Sequence, residues 1–223
     1  MSTKLFFEAI TKFILGVVLV SLLIFIPANS LNYWNGWLFM GLLFIPMFVA
    51  GIIMMIKAPM LLKSRLDAKE QEKEQKQVVV LSGIMFLIGF IFAGLNYRFN
   101  WIKLPDIIVL IASIIFLLSY ILYAESLREN VFLSRTIKVE KNQKVIDKGL
   151  YKFVRHPMYT ATIFLFLSIP LVLGSVISFF IFLIYPVLII KRIKNEEKVL
   201  EKELKGYKEY KSKVKYKLIP FIW

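Results

Sequence analysis

The chain lacks cysteine altogether and has one histidine, His156, among its 223 residues. Without cysteine there are no disulfides, zinc–thiolate sites, iron–sulfur clusters or cysteine nucleophiles. A Gly-x-Gly-x-x-Gly loop is also absent, because no two of the ten glycines are two positions apart. No glycine precedes Lys-Ser or Lys-Thr, so there is no Walker loop either. These absences exclude the common nucleotide-binding loops and a Rossmann-type site.

Acidic residues are also scarce, since 15 Asp and Glu stand against 29 Lys and Arg and give a formal net charge of +14. An excess of this size can indicate nucleic-acid binding. Here 58% of the residues are hydrophobic, and the charges lie between long uncharged blocks. That segregation is typical of bilayer spans joined by basic loops that face anionic lipid. We therefore expect the lipid bilayer as a partner and no nucleic acid.

Three uncharged stretches account for four predicted spans. No charge occurs between Lys12 and Lys57, a gap of 44 residues. It fits two helices of about 20 residues each, separated by the turn-forming and aromatic segment 27–36. A third span is predicted over 77–97 and a fourth over 107–124.

The last apolar block has an unusual length. It is uncharged from His156 to Lys191, and its apolar centre covers 160–190. A single helix of that length would measure roughly 46 Å, longer than the hydrocarbon core is thick, and two full spans would need more residues. Pro170 and Gly174 can break it near the middle. Two arms of about 14 residues reach roughly 20 Å each, so we predict a re-entrant helical hairpin.

The distribution of basic residues gives the orientation. With four spans and a re-entrant hairpin, both termini and the segments 57–77, 125–159 and 191–223 share one side of the membrane. That side carries 27 of the 29 lysines and arginines, as the positive-inside rule requires of the cytoplasmic face. The sequence thus predicts an all-α polytopic membrane protein with four transmembrane helices, a re-entrant hairpin and a cytoplasmic C-terminal helix.

The hairpin would bring two polar clusters together. The segment 154–159, Val-Arg-His-Pro-Met-Tyr, precedes it, and the acidic pair Glu196 and Glu197 follows it. Each feature alone has an ordinary interpretation: His156 as a polar group near lipid headgroups, Arg155 as a positive-inside anchor, the acidic pair as part of a solvated helix. Their joint placement favours a shared site.

Five motifs follow one another in the second half of the chain. They are Asn-x-Phe-x-Ser at 130–134, Gln-x-Val-x-x-x-Gly-x-Tyr at 143–151, Val-Arg-His-Pro-Met-Tyr at 154–159, Glu-Glu at 196–197 and Tyr-x-x-Tyr at 207–210. This pattern resembles the isoprenylcysteine carboxyl methyltransferase family in its bacterial and archaeal form, whose wider relatives include phospholipid N-methyltransferases. The resemblance covers about residues 96–223. It implies an N-terminal part, 1–95, with three transmembrane helices and a methyltransferase core, 96–223, in which 125–159 is the cofactor loop and 191–223 a cytoplasmic tail.

The resemblance also implies a binding site for S-adenosyl-L-methionine between the cofactor loop and the acidic pair. The implied cofactor contacts are Gln143, Lys144, Val145, Ile146, Tyr151, His156, Pro157, Met158, Tyr159 and Glu196. Arg192 would face the methyl acceptor, and Glu197 is the second candidate for a catalytic role. Neighbouring residues of a helix point in different directions, so which of the two glutamates contacts the cofactor stays open.

The expected reaction is methyl transfer from a sulfonium, an in-line displacement that needs no metal and depends chiefly on orientation. A carboxylate acceptor is already ionised at neutral pH and needs only a cation such as Arg192 to place it. An amine would first lose a proton, for which Glu197 or His156 could serve. We expect carboxyl O-methylation of an isoprenylcysteine-like amphiphile, with phospholipid or amine N-methylation and thiol S-methylation as alternatives.

A non-catalytic binding or transport protein is the alternative of another class. Such a protein would carry charges within its spans along a pathway. The predicted spans contain no Asp, Glu, Lys or Arg, which favours the enzyme. We expect it in the plasma membrane with its active site facing the cytoplasm.

Overall fold

The computed structural model describes residues 3–67, 73–133, 136–137, 139 and 142–223, with the backbone alone at 73–74. Ser134, the last residue of the Asn-x-Phe-x-Ser motif, lies outside the described residues. Apart from one 3₁₀ turn at Gly149–Lys152, the regular elements of the described part are all α-helices, so the all-α prediction is confirmed. The helices are α1 Thr3–Ala28, α2 Trp34–Lys57, α3 Pro59–Leu66, α4 Lys73–Phe99, α5 Asp106–Glu129, α6 Pro157–Val172, α7 Val176–Phe182, α8 Ile184–Glu203 and α9 Tyr207–Lys213.

Within these residues, five helical stretches are long and apolar enough to cross a membrane. Four of them, in α1, α2, α4 and α5, match the four predicted spans. Helices α4 and α5 extend past the predicted 77–97 and 107–124, because helical hydrogen bonding continues into the polar flanks. The fifth stretch, Val176–Glu203, combines α7 and α8. The chain is an integral polytopic membrane protein.

The helix boundaries follow from local chemistry. Pro105 precedes α5 and Asp106 occupies its first turn, where an acid interacts favourably with the helix dipole. Helix α2 ends at Lys57, and Pro59, which cannot donate the next helical hydrogen bond, begins α3 in a new direction. Helices α1 and α4 approach closely at Gly94, where a Cβ atom would lie 2.6 Å from the carbonyl oxygen of Ile24.

The last apolar block forms a helical hairpin. Its first arm, α6, continues two residues past Pro170, and the chain turns at Gly174, whose φ of 72° favours glycine. Ser175 caps the returning helix α7 through its side chain. Arg155, just before the first arm, lies 2.7 Å from Glu197, late in the second, so the hairpin returns to the end from which it starts.

The tip of the hairpin contacts the ends of α2 and α4 at the opposite end of the bundle. Side chains of Tyr33, Asn35 and Asn96 donate hydrogen bonds to the carbonyls of residues 172–174. The first arm has 16 residues and therefore rises about 24 Å. It reaches further than the predicted 20 Å because the tip finds donors for its free carbonyls at the ends of α2 and α4. These donors fix the depth of the hairpin.

The C-terminal segment is tied to the beginning of α6. The backbone N–H groups of Arg155 and His156 donate to the carbonyls of Tyr216 and Lys217, each at 2.9 Å. Thr160 Oγ1, in the first turn of α6, donates to the carbonyl of Leu218 at 2.7 Å. The tail therefore holds the segment that enters the hairpin.

Candidate active site

A cavity of about 800 Å³, open mouth included, lies where the start of α6, the polar half of α8, the loop 142–148 and α9 meet. Of the residues predicted from the sequence, ten line it: Gln143, Lys144, Val145, Ile146, Tyr151, His156, Met158, Tyr159, Arg192 and Glu196. Pro157 and Glu197 do not line it. The structure thus brings together ten predicted residues that are dispersed over 54 positions of the sequence.

The loop enters the cavity through a turn that requires glycine. Gly149 has a φ of 56°, and a Cβ atom there would lie 1.7 Å from Glu129 Oε1. The same carboxylate accepts the backbone N–H of Leu150 at 2.8 Å. Tyr151 follows and donates its hydroxyl to the carbonyl of Ser126 at 3.3 Å. The end of α5 thereby determines the course of the cofactor loop.

The other side of the loop packs on the C-terminal segment. Val145 joins a small apolar cluster with Leu204, Tyr207, Tyr210 and Val214. The Tyr210 hydroxyl donates to the carbonyl of Tyr151 at 2.7 Å. Because this cluster forms only when α9 folds back against the loop, the tail completes the cavity.

Pro157 has a structural role at the start of α6. It occupies the first helical position, where the missing N–H of proline costs no hydrogen bond. His156 precedes it, lines the cavity and lies against the ring of Tyr159, with ring centroids 5.7 Å apart. The proline therefore positions His156 and Met158 without facing the cavity itself.

Arg155 and Glu197 form a buried ion pair between α6 and α8. Arg155 Nε lies 2.7 Å from Glu197 Oε1, and the two residues are 6% and 4% exposed. The guanidinium also donates to the carbonyls of Val214 and Lys215, at 2.6 and 2.8 Å. Arg155 thus links α6, α8 and the tail. This structural role differs from the membrane-anchor role that was one interpretation of Arg155 considered by itself.

The two glutamates have different surroundings. Glu197 lies 3.3 Å from His156 Nε2 and within 3.7 Å of the ammonium groups of Lys211 and Lys217. Glu196 faces the cavity, where its Oε2 accepts the hydroxyl of Tyr159 at 2.6 Å. Of the acidic pair, Glu196 alone is a cavity residue.

Tyr159 joins Glu196 to Arg192. Its hydroxyl donates to Glu196 and accepts from Arg192 Nε at 2.8 Å. The guanidinium of Arg192 also lies 5.9 Å from the centre of the Tyr159 ring. One wall of the cavity therefore presents a cation and an anion that a single phenol holds in place.

Residues 106–202 match the family model described as the isoprenylcysteine carboxyl methyltransferase (ICMT) family. The chain contains an ICMT-family domain. The match confirms the family predicted from the motifs and indicates a membrane methyltransferase. A search of curated proteins found no match to the chain.

The ICMT-family segment includes α5, the cofactor loop, the hairpin and most of α8. The helices α1–α4 and the tail with α9 lie outside it. Because α9 completes the cavity, the site uses residues beyond the matched segment. The division of the chain into 1–95 and 96–223 stays a prediction.

Several cavity residues were not among the predicted contacts. They are Asn130, Phe132, Leu133, Thr136, Ile137, Arg155, Leu200, Leu204, Tyr207 and Tyr210. The Tyr-x-x-Tyr spacing was the available signal for the last two, since residues three apart share a helix face. The apolar residues carried no signal that distinguishes a cavity wall from a core.

Tyr207 is the most informative of these additions. Its buried hydroxyl has no hydrogen-bond partner among the described residues. Burial, followed by the charges of Glu197 and Glu196, raises the pKa of the phenol. The hydroxyl therefore remains protonated at neutral pH and can donate to a bound polar group.

Proposed function

We propose that this protein is an S-adenosyl-L-methionine-dependent membrane methyltransferase that acts on an amphiphilic acceptor, with an isoprenylcysteine-like carboxylate as the preferred class. The observation that carries the proposal is the shared cavity wall of Arg192, Tyr159 and Glu196, which lines the same cavity as the loop 143–146. In the ICMT-family context, this wall provides a cation for an acceptor and a carboxylate for a cofactor.

The cavity residues fit the chemical groups of the cofactor. Glu196 can accept hydrogen bonds from hydroxyls or from an ammonium group, and the Tyr207 hydroxyl is available as a donor. The aromatic walls formed by Tyr151, Tyr159 and Tyr207 suit both a planar base and a cationic centre. When bound, the cofactor supplies an electrophilic methyl group on a sulfonium.

Arg192 would orient the acceptor. Its guanidinium is held by Tyr159, and a planar fork suits a carboxylate because it can donate two parallel hydrogen bonds. A carboxylate acceptor is ionised at neutral pH, so the site needs no base for it. Orientation of the acceptor oxygen is then the main contribution of the protein.

The surroundings of Glu197 favour a carboxylate acceptor over an amine. To serve as a base, Glu197 would have to take a proton while it is paired with Arg155 and close to Lys211. Protonation would leave the buried guanidinium without its counter-charge, which is costly. O-methylation avoids that step.

A product analysis with labelled S-adenosyl-L-methionine tests the proposal. The purified protein would be offered an S-prenylated N-acetylcysteine, phosphatidylethanolamine vesicles and an alkyl thiol in parallel. We expect label in a base-labile methyl ester of the first acceptor. Base-stable label in the lipid would instead establish N-methylation, and label on sulfur would establish the thiol reaction. Failure to bind the cofactor in calorimetry would overturn the proposal.

A further inference from the structure

Arg65 lies beside the candidate active site although it belongs to α3, outside the ICMT-family segment. Its guanidinium donates to the hydroxyl of Tyr123 and lies 5.6 Å from the centre of that ring. Its second terminal nitrogen, Nη1, lies 4.0 Å from the sulfur of Met158, which lines the cavity. Arg65 is therefore separated from the cavity by one side chain.

The partners of Arg65 are neutral. Among the residues that the structure describes, its guanidinium contacts a phenol and a thioether and forms no ion pair with a carboxylate. The side chain is partly buried. A partly buried cation is more stable when an anion accompanies it. Arg155, the buried guanidinium nearby, has such a partner in Glu197.

Arg65 and Arg192 contact consecutive residues at the start of α6. Arg65 Nη1 lies beside the sulfur of Met158, and Arg192 Nε donates to the hydroxyl of Tyr159. Both of these α6 residues line the cavity. The two cations therefore approach the cavity from α3 and from α8.

Helix α3 has the character of a segment at the membrane surface. Leu61 and Leu62 are buried against the bundle, whereas Met60 is 85% exposed and Lys63 is exposed beside it. Because basic residues occupy its last turn, α3 places Arg65 where an amphiphile would present its polar head. An acceptor with its tail in the bilayer would bring an anionic head to this point.

We propose that Arg65 is an acceptor-binding residue that pairs with an anionic group, a carboxylate or a phosphate, on the amphiphilic acceptor. The inference rests on the proposed function, since it assumes that the cavity takes such an acceptor. Arg65 and Arg192 form the two cationic sides of the acceptor site. The N-terminal helices thereby contribute to specificity as well as to membrane insertion.

A binding comparison tests the role of Arg65 without turnover. The probes are an S-prenylated N-acetylcysteine and its carboxamide, which differ in charge at one group, and their affinities are measured in detergent by calorimetry. We expect the wild type to prefer the carboxylate and Arg65→Gln to lose about tenfold to a hundredfold of that preference, as for one charge-assisted hydrogen bond. Arg65→Lys should retain part of the preference.

Lys63→Gln is the matched control, because it removes one exposed positive charge from the same helix. It should leave the preference and the affinity for S-adenosyl-L-methionine unchanged, and Arg65→Gln should also retain wild-type cofactor affinity. An unchanged carboxylate preference in Arg65→Gln would overturn the inference, as would an equal loss in Lys63→Gln.

A parallel series separates the two sources of negative charge. The affinities of the wild type and Arg65→Gln for phosphatidylethanolamine and for a neutral diacylglycerol, each dispersed in the same detergent micelles, are compared. A loss confined to the prenylcysteine carboxylate identifies a carboxylate site, and a loss confined to the phospholipid identifies a phosphate site. If the charge preference depends on Arg65 while no methyl group is transferred to any acceptor, the proposed function fails and the binding role of Arg65 stands.

Discussion

At the scale of single residues, the site depends on the direction of neighbouring side chains along α8. Glu196 and Glu197 are adjacent, yet one faces the cavity and the other is buried against Arg155. Arg192 lies one helical turn before Glu196 and therefore shares its face. Tyr159 then joins the two with its single hydroxyl. The geometry thus places Arg192 and Glu196 together in the cavity and Glu197 outside it.

Replacing Glu196 by alanine tests the cofactor role. Loss of one charge-assisted hydrogen bond should weaken S-adenosyl-L-methionine binding about tenfold to a hundredfold in calorimetry. Glu203→Ala, at an exposed position near the end of the same helix, is the matched control and should bind normally. Wild-type affinity in Glu196→Ala would remove Glu196 from the cofactor site.

Replacing Arg192 by lysine tests the acceptor role. Lysine retains the charge and loses the planar fork, so turnover should fall at least tenfold while cofactor affinity changes little. Steady-state kinetics and calorimetry on the same preparation measure the two quantities. If Arg192 were only a positive-inside anchor, lysine would serve equally well and activity would survive.

At the scale of elements, the loop 142–148 and the turn that follows it are held at two points. Gly149 begins the 3₁₀ turn beside the Glu129 carboxylate, and Val145 is held in the apolar cluster with α9. The hairpin is held in a similar way, since Asn96 and its neighbours bind the carbonyls of the tip. Each of these elements is fixed by a distant part of the chain.

A glycine pair tests how the loop is held. Gly149→Ala should lower cofactor affinity at least tenfold, because its φ of 56° is unfavourable for alanine and the added Cβ would overlap Glu129. Gly83→Ala introduces the same atom at a helical position in α4 where nothing lies within 4 Å. That control should bind normally and be as stable as the wild type or slightly more so. Equal behaviour of the two variants in calorimetry would contradict this account of the loop.

At the scale of the whole molecule, the hairpin joins the two ends of the bundle. Its tip binds Tyr33 and Asn35 at the start of α2 and Asn96 near the end of α4, and its base carries the cavity. Because the topology predicted from the sequence assigns 27 of the 29 basic residues to that side, we expect the site to face the cytoplasm. Water-soluble cofactor would then enter from that side and the amphiphilic acceptor from the bilayer.

Cysteine labelling tests this orientation, and the absence of native cysteine leaves no background. Single cysteines at the exposed positions Lys144 and Lys208 should react with a membrane-impermeant maleimide only after the cells are opened. A cysteine at Asn32, exposed in the loop between α1 and α2, is the control and should react in intact cells. Labelling of Lys144→Cys in intact cells would exclude a cytoplasmic site.

The sequence by itself determined the helical class, the spans and the break in the hairpin. These depend on local properties, namely the length of uncharged runs and the conformational limits of proline and glycine. The motifs also identified half of the residues that line the cavity, because Arg155-His156-Pro157 and the acidic pair flank the apolar block in a recognisable order.

Only the tertiary structure decided which glutamate faces the cavity. It also showed that Arg155 forms a buried ion pair and that Tyr207 and Arg65 lie near the site. Each depends on contacts between segments far apart in the chain: Glu197 is turned away from the cavity by Arg155, 42 positions earlier. Arg65 meets Met158 across 93 positions. No local pattern specifies such contacts, because they depend on how whole helices pack and on which face each helix presents.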